Sequence, residues 1–318
     1  MQPSHARAMA LELKVRQRLA DSLRYILSEC EGVLSALPAS LDSALSAISQ
    51  GPIPPLAFGA YFQLVLALDE DRHEDARVWL SELSQTRNAA HELSVRDDAE
   101  VVERHRELMA LADTPLELQT ATAEKSRGAR ALIDQAVALL EQADPELREE
   151  IRILVREIVL VEDSPASHFA FDGAASLMAF GSIVLNAASQ DSRLAMAQAL
   201  AHESGHVLLF SFAAEGSLID DDGEAKYPSP LREDLRPMDG IFHAAFVSAR
   251  THRMLEQLMK SNALSEDENR LASQSAEEHR RNFFAALETI ETHGCLSARG
   301  KQVIEDCAAY MRVARART

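Results

Sequence analysis

LAMAQALAHESGHVLLFSF, residues 194–212, decides how this chain is read. Outside His202-Glu203-Ser204-Gly205-His206 it is apolar over five turns but for Gln198 and Ser211. In a helix, positions i and i+4 lie on one face, about 40° apart around the axis, so His202 and His206 can converge on one ion. Glu203 sits about 100° around from His202, within reach of a ligand on that ion. This is the HExxH arrangement of zinc peptidases, where the Glu is a general base. Gly205 costs such a helix about 1 kcal/mol relative to Ala, which implies that something packs close to its backbone.

Working upstream, Gln190-Asp191-Ser192 supplies an N-cap. Two short strands are expected before it, over 168–173 and Phe180–Asn186, β-branched and bounded by Gly and Asn. Ile151–Val161 reads as a helix running into a strand. Residues 6–150 read almost wholly as helix: Leu11, Val15, Leu19 and Leu23 recur at helical spacing, and GPIPP at 51–55 turns the chain. Downstream, Gly216 and the acidic loop 219–224 end the HExxH helix. Pro228, Pro230 and Pro237 punctuate the next stretch, and a helix is expected from Pro237 to Lys260, with two more after it. The expected fold is mainly α: a helical N-terminal half (1–150) as scaffold, then a zincin-like α+β metal-binding region (151–318) with a small sheet ahead of the HExxH helix.

The 318 residues are 47% apolar, enough for a substantial core. Lys+Arg of 32 against Asp+Glu of 50 gives a net charge of −18, which repels phosphate backbones and anionic lipid. Nucleic acid and membrane are therefore not expected partners, and no apolar run has the length to span a bilayer. Cys30, Cys295 and Cys307 have no CxxC spacing and fit burial in a reducing compartment. The N-terminus lacks a secretory apolar core, and a cytoplasmic location is expected.

A catalytic metal takes a third protein ligand. His243, in GIFHAAF at 240–246, is the choice; Glu215, Asp220, Asp221, Asp222, Glu224 and Asp239 compete. His252, nine residues on, falls on the opposite side of its helix and is expected to be exposed; His168 is a weaker cleft candidate. Arg250 is two turns past His243, about 10.5 Å along the same face, and can hold a carboxylate whose other end meets the metal. Arg232 and Arg236 offer the same, unless Glu233 or Asp234 takes them in salt bridges.

The run HESGH (202–206), PLREDLRPMDGIFH (230–243) and AAFVSAR (244–250) resembles the HExxH-motif proteins found with ribosomally made, modified peptides. The match covers about 50 residues and rests on RPxxGxxH following HExxH. That resemblance implies an Fe(II)- and 2-oxoglutarate-dependent hydroxylase acting on a side-chain β-carbon of a precursor peptide. It implies iron held by His202, His206 and His243, with Arg236 or Arg250 on the distal carboxylate of 2-oxoglutarate. Spacing alone favours Arg250. Glu203 would hydrogen-bond a ligand or substrate. The strand Phe180–Asn186 could take an extended peptide by edge addition. The alternatives are a zinc-dependent peptidase with Glu203 as general base, and a catalytically silent module that escorts a peptide.

Overall fold

A computed structural model describes residues 2–30, 34, 38–90, 92–110, 117–164, 171–221 and 223–315. The helices are α1 (His5–Glu29), α2 (Leu41–Gln50), α3 (Leu56–Asp69), α4 (His73–Leu83), α5 (Ala99–Met109), α6 (Ala123–Ala143) and α7 (Pro145–Leu154). Beyond the sheet come α8 (Arg193–Ala213), α9 (Met238–Lys260), α10 (Glu266–His293) and α11 (Ala298–Arg315). The strands are β1 (Ser94–Arg96), β2 (Leu118–Thr120), β3 (Glu157–Asp163), β4 (Gly173–Ala175), β5 (Ser182–Asn186), β6 (Lys226–Ser229) and β7 (Arg232–Pro237). The protein is thus mainly helical with a small mixed sheet.

The chain forms two compact units that interleave in sequence. One comprises Ala6–Ala129 and Arg152–Ser189; the other comprises Met1–His5, Arg130–Ile151 and Gln190–Thr318. The five-stranded sheet belongs to the first unit.

In that first unit α1 buries Ala8, Leu11, Val15, Leu19 and Leu23, the stripe its spacing requires. GPIPP separates α2 from α3. At the centre of the sheet β3 pairs parallel with β5, Ile158 opposite Ile183 and Leu160 opposite Leu185. β1 runs parallel and β2 antiparallel along successive parts of β3. Ile158, Val159, Leu160 and Val161 are wholly buried, as are Ile183, Val184 and Leu185, so both strands read as unbroken apolar runs. Val101, Val102 and Met109 of α5 pack on Val159, Val161 and Val184.

Two expectations for this sheet need revision. β5 is no edge: β3 lies on one side and β4 on the other, and all five residues are buried. A peptide cannot add to a strand whose two hydrogen-bonding sides are taken. The strand expected over 168–173 is described only from Gly173, as β4; His168 lies outside the described residues.

In the second unit, Ser192 caps α8 by accepting from the Ala195 amide at 3.2 Å. Pro237 stands at the N-cap of α9, where its missing N–H costs nothing. Ser265 and Glu268 form a reciprocal capping box on α10. The proline-punctuated stretch before α9 is a hairpin, β6–β7, which the sequence pattern does not announce. Pro228 is tolerated because the ladder breaks register between Tyr227 and Ser229.

The three cysteines are free; Cys307 is buried as expected, whereas Cys295 is exposed. No helix among the described residues is long and apolar enough to cross a membrane.

Candidate metal centre

α8 and α9 cross closely at Gly205. A Cβ there would stand 3.2 Å from Val247 Cγ1 and 3.8 Å from Arg250 Cδ, which accounts for a glycine in mid-helix. The close crossing brings His243 of α9 against the HExxH motif. His206 Nε2 lies 3.2 Å from His202 Nε2, and His206 Nδ1 lies 2.8 Å from His243 Nδ1. Successive ring centroids are 5.0 Å apart, His206 and His243 nearly parallel, His202 tilted at 65°. All three rings are partly exposed, with apolar neighbours around them. Phe210 closes one side, its ring 5.3 Å from that of His243.

Burial is the main cause that depresses all three histidines. His206 is lowered to about 3 and His243 to about 4. His202 lies well below its ordinary value, helped by the other rings. Neutral imidazoles at physiological pH are the form that ligates metals.

The donor set can be tested against a metal. Two nitrogens bound at roughly 2.0–2.1 Å to one tetrahedral ion stand about 3.3 Å apart, so the His202–His206 Nε2 pair fits. His243 instead presents Nδ1 to the opposite edge of His206. The rings therefore form a chain of N···N contacts, and a three-fold cage would need the His243 ring to turn. Accordingly, no group of three or more His, Cys, Asp or Glu among the described residues is arranged as a ready cation cage. The residues fit a metal in kind, and two of them fit in spacing.

Glu203 is buried on α8, beside these rings in sequence. Arg236, at the end of β7, folds over Gly240: a Cβ there would meet Arg236 Cβ at 3.1 Å and Nε at 3.3 Å. Its positive charge adds to burial in lowering His243. Arg236 and Arg232 both bond to Asp234, at 3.2 and 3.0 Å. Arg250 has another role, in a hydrogen-bonded ion pair with Glu150 of α7 from which water is excluded.

The competing carboxylates lie apart from the rings or in solvent. Glu215 pairs with Arg299. Asp220, Asp221 and Glu224 are exposed, and Asp222 lies outside the described residues. Asp239 stands 3.8 Å from His243 Nε2 with a largely exposed side chain.

His252 corrects an expectation: it is 4% exposed, hydrogen-bonded to Tyr310 of α11 at 2.9 Å. It does leave the His243 face, but that side of α9 is covered by another helix.

His279 of α10 joins this group without any motif to mark it. It is near enough to contribute to the depression of His202, and burial lowers it to about 4. Its Nδ1 is buried with no hydrogen-bond partner. The one signal in the sequence is periodicity: Ala272, Ala276, His279, Phe283 and Leu287 follow the buried phase of α10, although EEHRRN reads as a solvated run.

Comparison of the whole chain with known protein families finds no matching family, and comparison with curated proteins finds no match either.

Proposed function

We propose that the α8–α9 centre is the active site of an Fe(II)- and 2-oxoglutarate-dependent hydroxylase acting on a β-carbon of a peptide. The observation that carries this reading is three neutral histidines gathered in one partly open place with a cationic side chain, Arg236, beside them. Neutral ligands leave a divalent ion its full charge, and an arginine adds to it. That environment favours a dianionic 2-oxo acid over a neutral peptide carbonyl.

His202 and His206 would hold the ion through Nε2, and His243 would complete the set. Iron(II) bound with the 2-oxo acid supplies the oxygen chemistry that hydroxylates an unactivated C–H bond. Arg236 would orient the distal carboxylate of the 2-oxo acid; of the two arginines it is favoured, because Arg250 is held in a buried pair with Glu150, whereas the Arg236–Asp234 pair is partly exposed and lies beside His243. Glu203, one residue from His202, would accept a hydrogen bond from a bound ligand or substrate. Phe210 and the apolar faces of α8 and α9 would limit access of water.

The test compares 2-oxoglutarate binding by the iron-loaded protein and two variants. Arg236→Gln should weaken it by at least about tenfold, the loss of one charge-assisted contact. Arg250→Met should leave it nearly unchanged wherever that variant folds. Unaltered affinity in Arg236→Gln would remove this arginine from the proposed site.

A further inference from the structure

The two ring nitrogens of His243 face different neighbours. Nδ1 lies 2.8 Å from His206 Nδ1, while Nε2 lies 3.8 Å from Asp239 Oδ2. Asp239 stands in the first turn of α9, four residues before His243, so the two side chains share one face of the helix. Its carboxylate thus meets the other edge of the ring from His206, where an orienting partner of a histidine belongs. The Asp239 side chain is 70% exposed and that of His243 13%, so the carboxylate has room to close onto a ring that is held in place.

The 2.8 Å contact between His206 and His243 admits two arrangements of one proton. Both rings are neutral near pH 7, because burial lowers His206 to about 3 and His243 to about 4. In the first arrangement His206 donates Nδ1–H to His243 Nδ1, and His206 Nε2 carries no proton and can ligate a cation. In the second His243 donates Nδ1–H to His206 Nδ1, and the proton left to His206 sits on Nε2, which blocks ligation. His202 does not decide between them, since its Nε2, 3.2 Å from His206 Nε2, can donate or accept. The first arrangement places the His243 proton on Nε2, the side on which Asp239 offers an acceptor.

We propose that Asp239 is a positioning residue: it accepts Nε2–H from His243, which keeps His243 Nδ1 bare and His206 Nε2 open to a divalent cation. The inference rests on reading the α8–α9 centre as a metal site, and not on which reaction the metal serves. A first-turn carboxylate also interacts favourably with the helix dipole. That interaction is indifferent to the tautomer of His243, so the two roles leave different signatures. Asp234 controls for charge, because Arg236 lies near both carboxylates and Asp234 pairs with Arg236 and Arg232.

The experiment locates the ring protons of the metal-free, isotope-labelled full chain by long-range proton–nitrogen NMR. Zinc affinity is then measured by competition with a chromophoric chelator. Wild-type His206 should carry its proton on Nδ1, and His243 on Nε2. Asp239→Ala should move the His206 proton toward Nε2 and weaken zinc binding by at least about tenfold, the usual effect of losing the partner behind a ligand. Asp234→Ala, with the same change of charge, should leave the tautomers in place and cost much less affinity. A wild-type His206 protonated on Nε2 overturns the proposal. So does an unmoved proton in Asp239→Ala, or a loss of zinc affinity no larger than in Asp234→Ala. If the wild-type chain binds neither zinc nor iron(II), the metal reading fails, and the tautomers still decide whether Asp239 holds His243.

Discussion

His206 Nδ1 and His243 Nδ1 lie 2.8 Å apart on helices whose contributing residues are separated by 37 positions in sequence. Two neutral imidazoles at that distance share one N–H. His206 meets His202 through its other nitrogen, so it is the central member of the three.

Centrality sets an order of effects. His206→Ala should abolish tight binding of a divalent transition metal. His243→Ala should weaken it by more than about tenfold, the least that loss of a partner around a metal usually costs. Competition titrations with a chromophoric chelator measure both; equal, undiminished affinity in the two variants would remove these rings from any metal site.

The Arg250–Glu150 pair gives a stability prediction that separates single from double replacement. Side-chain exposure is 3% and 1%, so removing one partner strands a buried charge. Glu150→Leu or Arg250→Met alone should cost about 3–5 kcal/mol, whereas the double variant should recover most of it. Urea unfolding midpoints of the four proteins complete the cycle.

Gly205→Ala weighs helix propensity against packing. Alanine gains about 1 kcal/mol in a helix interior. Here its methyl group would crowd wholly buried Val247, whose β-branched side chain has little rotamer freedom. Crowding should win, for a net loss of about 1–2 kcal/mol. In the Val247→Ala background the same change should be neutral or stabilising; chemical denaturation decides.

Acid should destabilise the metal-free protein in a defined window. His206, His243 and His279 titrate at about 3, 4 and 4 when folded, against about 6.5 when unfolded. Between those values the unfolded chain binds more protons, so stability is fully present above about pH 6.5 and falls as pH drops toward 4. His279→Leu removes one such group without leaving a stranded partner for Nδ1. It should flatten the decline between pH 6.5 and 5 and be close to neutral at pH 7.5. An unchanged slope would contradict the burial of this ring.

Much of this was legible because it is local. The α8 motif, its Ser192 cap, the Pro237 start of α9 and the close approach implied by Gly205 follow from periodicity and the chemistry of single residues. What escaped depends on distant partners. Arg250 meets Glu150 one hundred positions away, so spacing from His243 gave no hint of the ion pair. β4 covers β5 through three small residues, Gly173–Ala175, which carry no β-branched signature. His279 hid among charges because its helix alternates faces within EEHRRN. The β6–β7 hairpin was masked by prolines that a register break accommodates.

The most direct test of the hydroxylase reading is anaerobic titration of metal-free protein with iron(II) and then 2-oxoglutarate, recording visible absorption. A charge-transfer band should appear only with both added, and should be lost in His243→Ala and weakened at equal ligand in Arg236→Gln. No band with wild-type protein, accompanied by tight zinc binding, would contradict the reading and turn attention to Glu203 as the base of a peptidase.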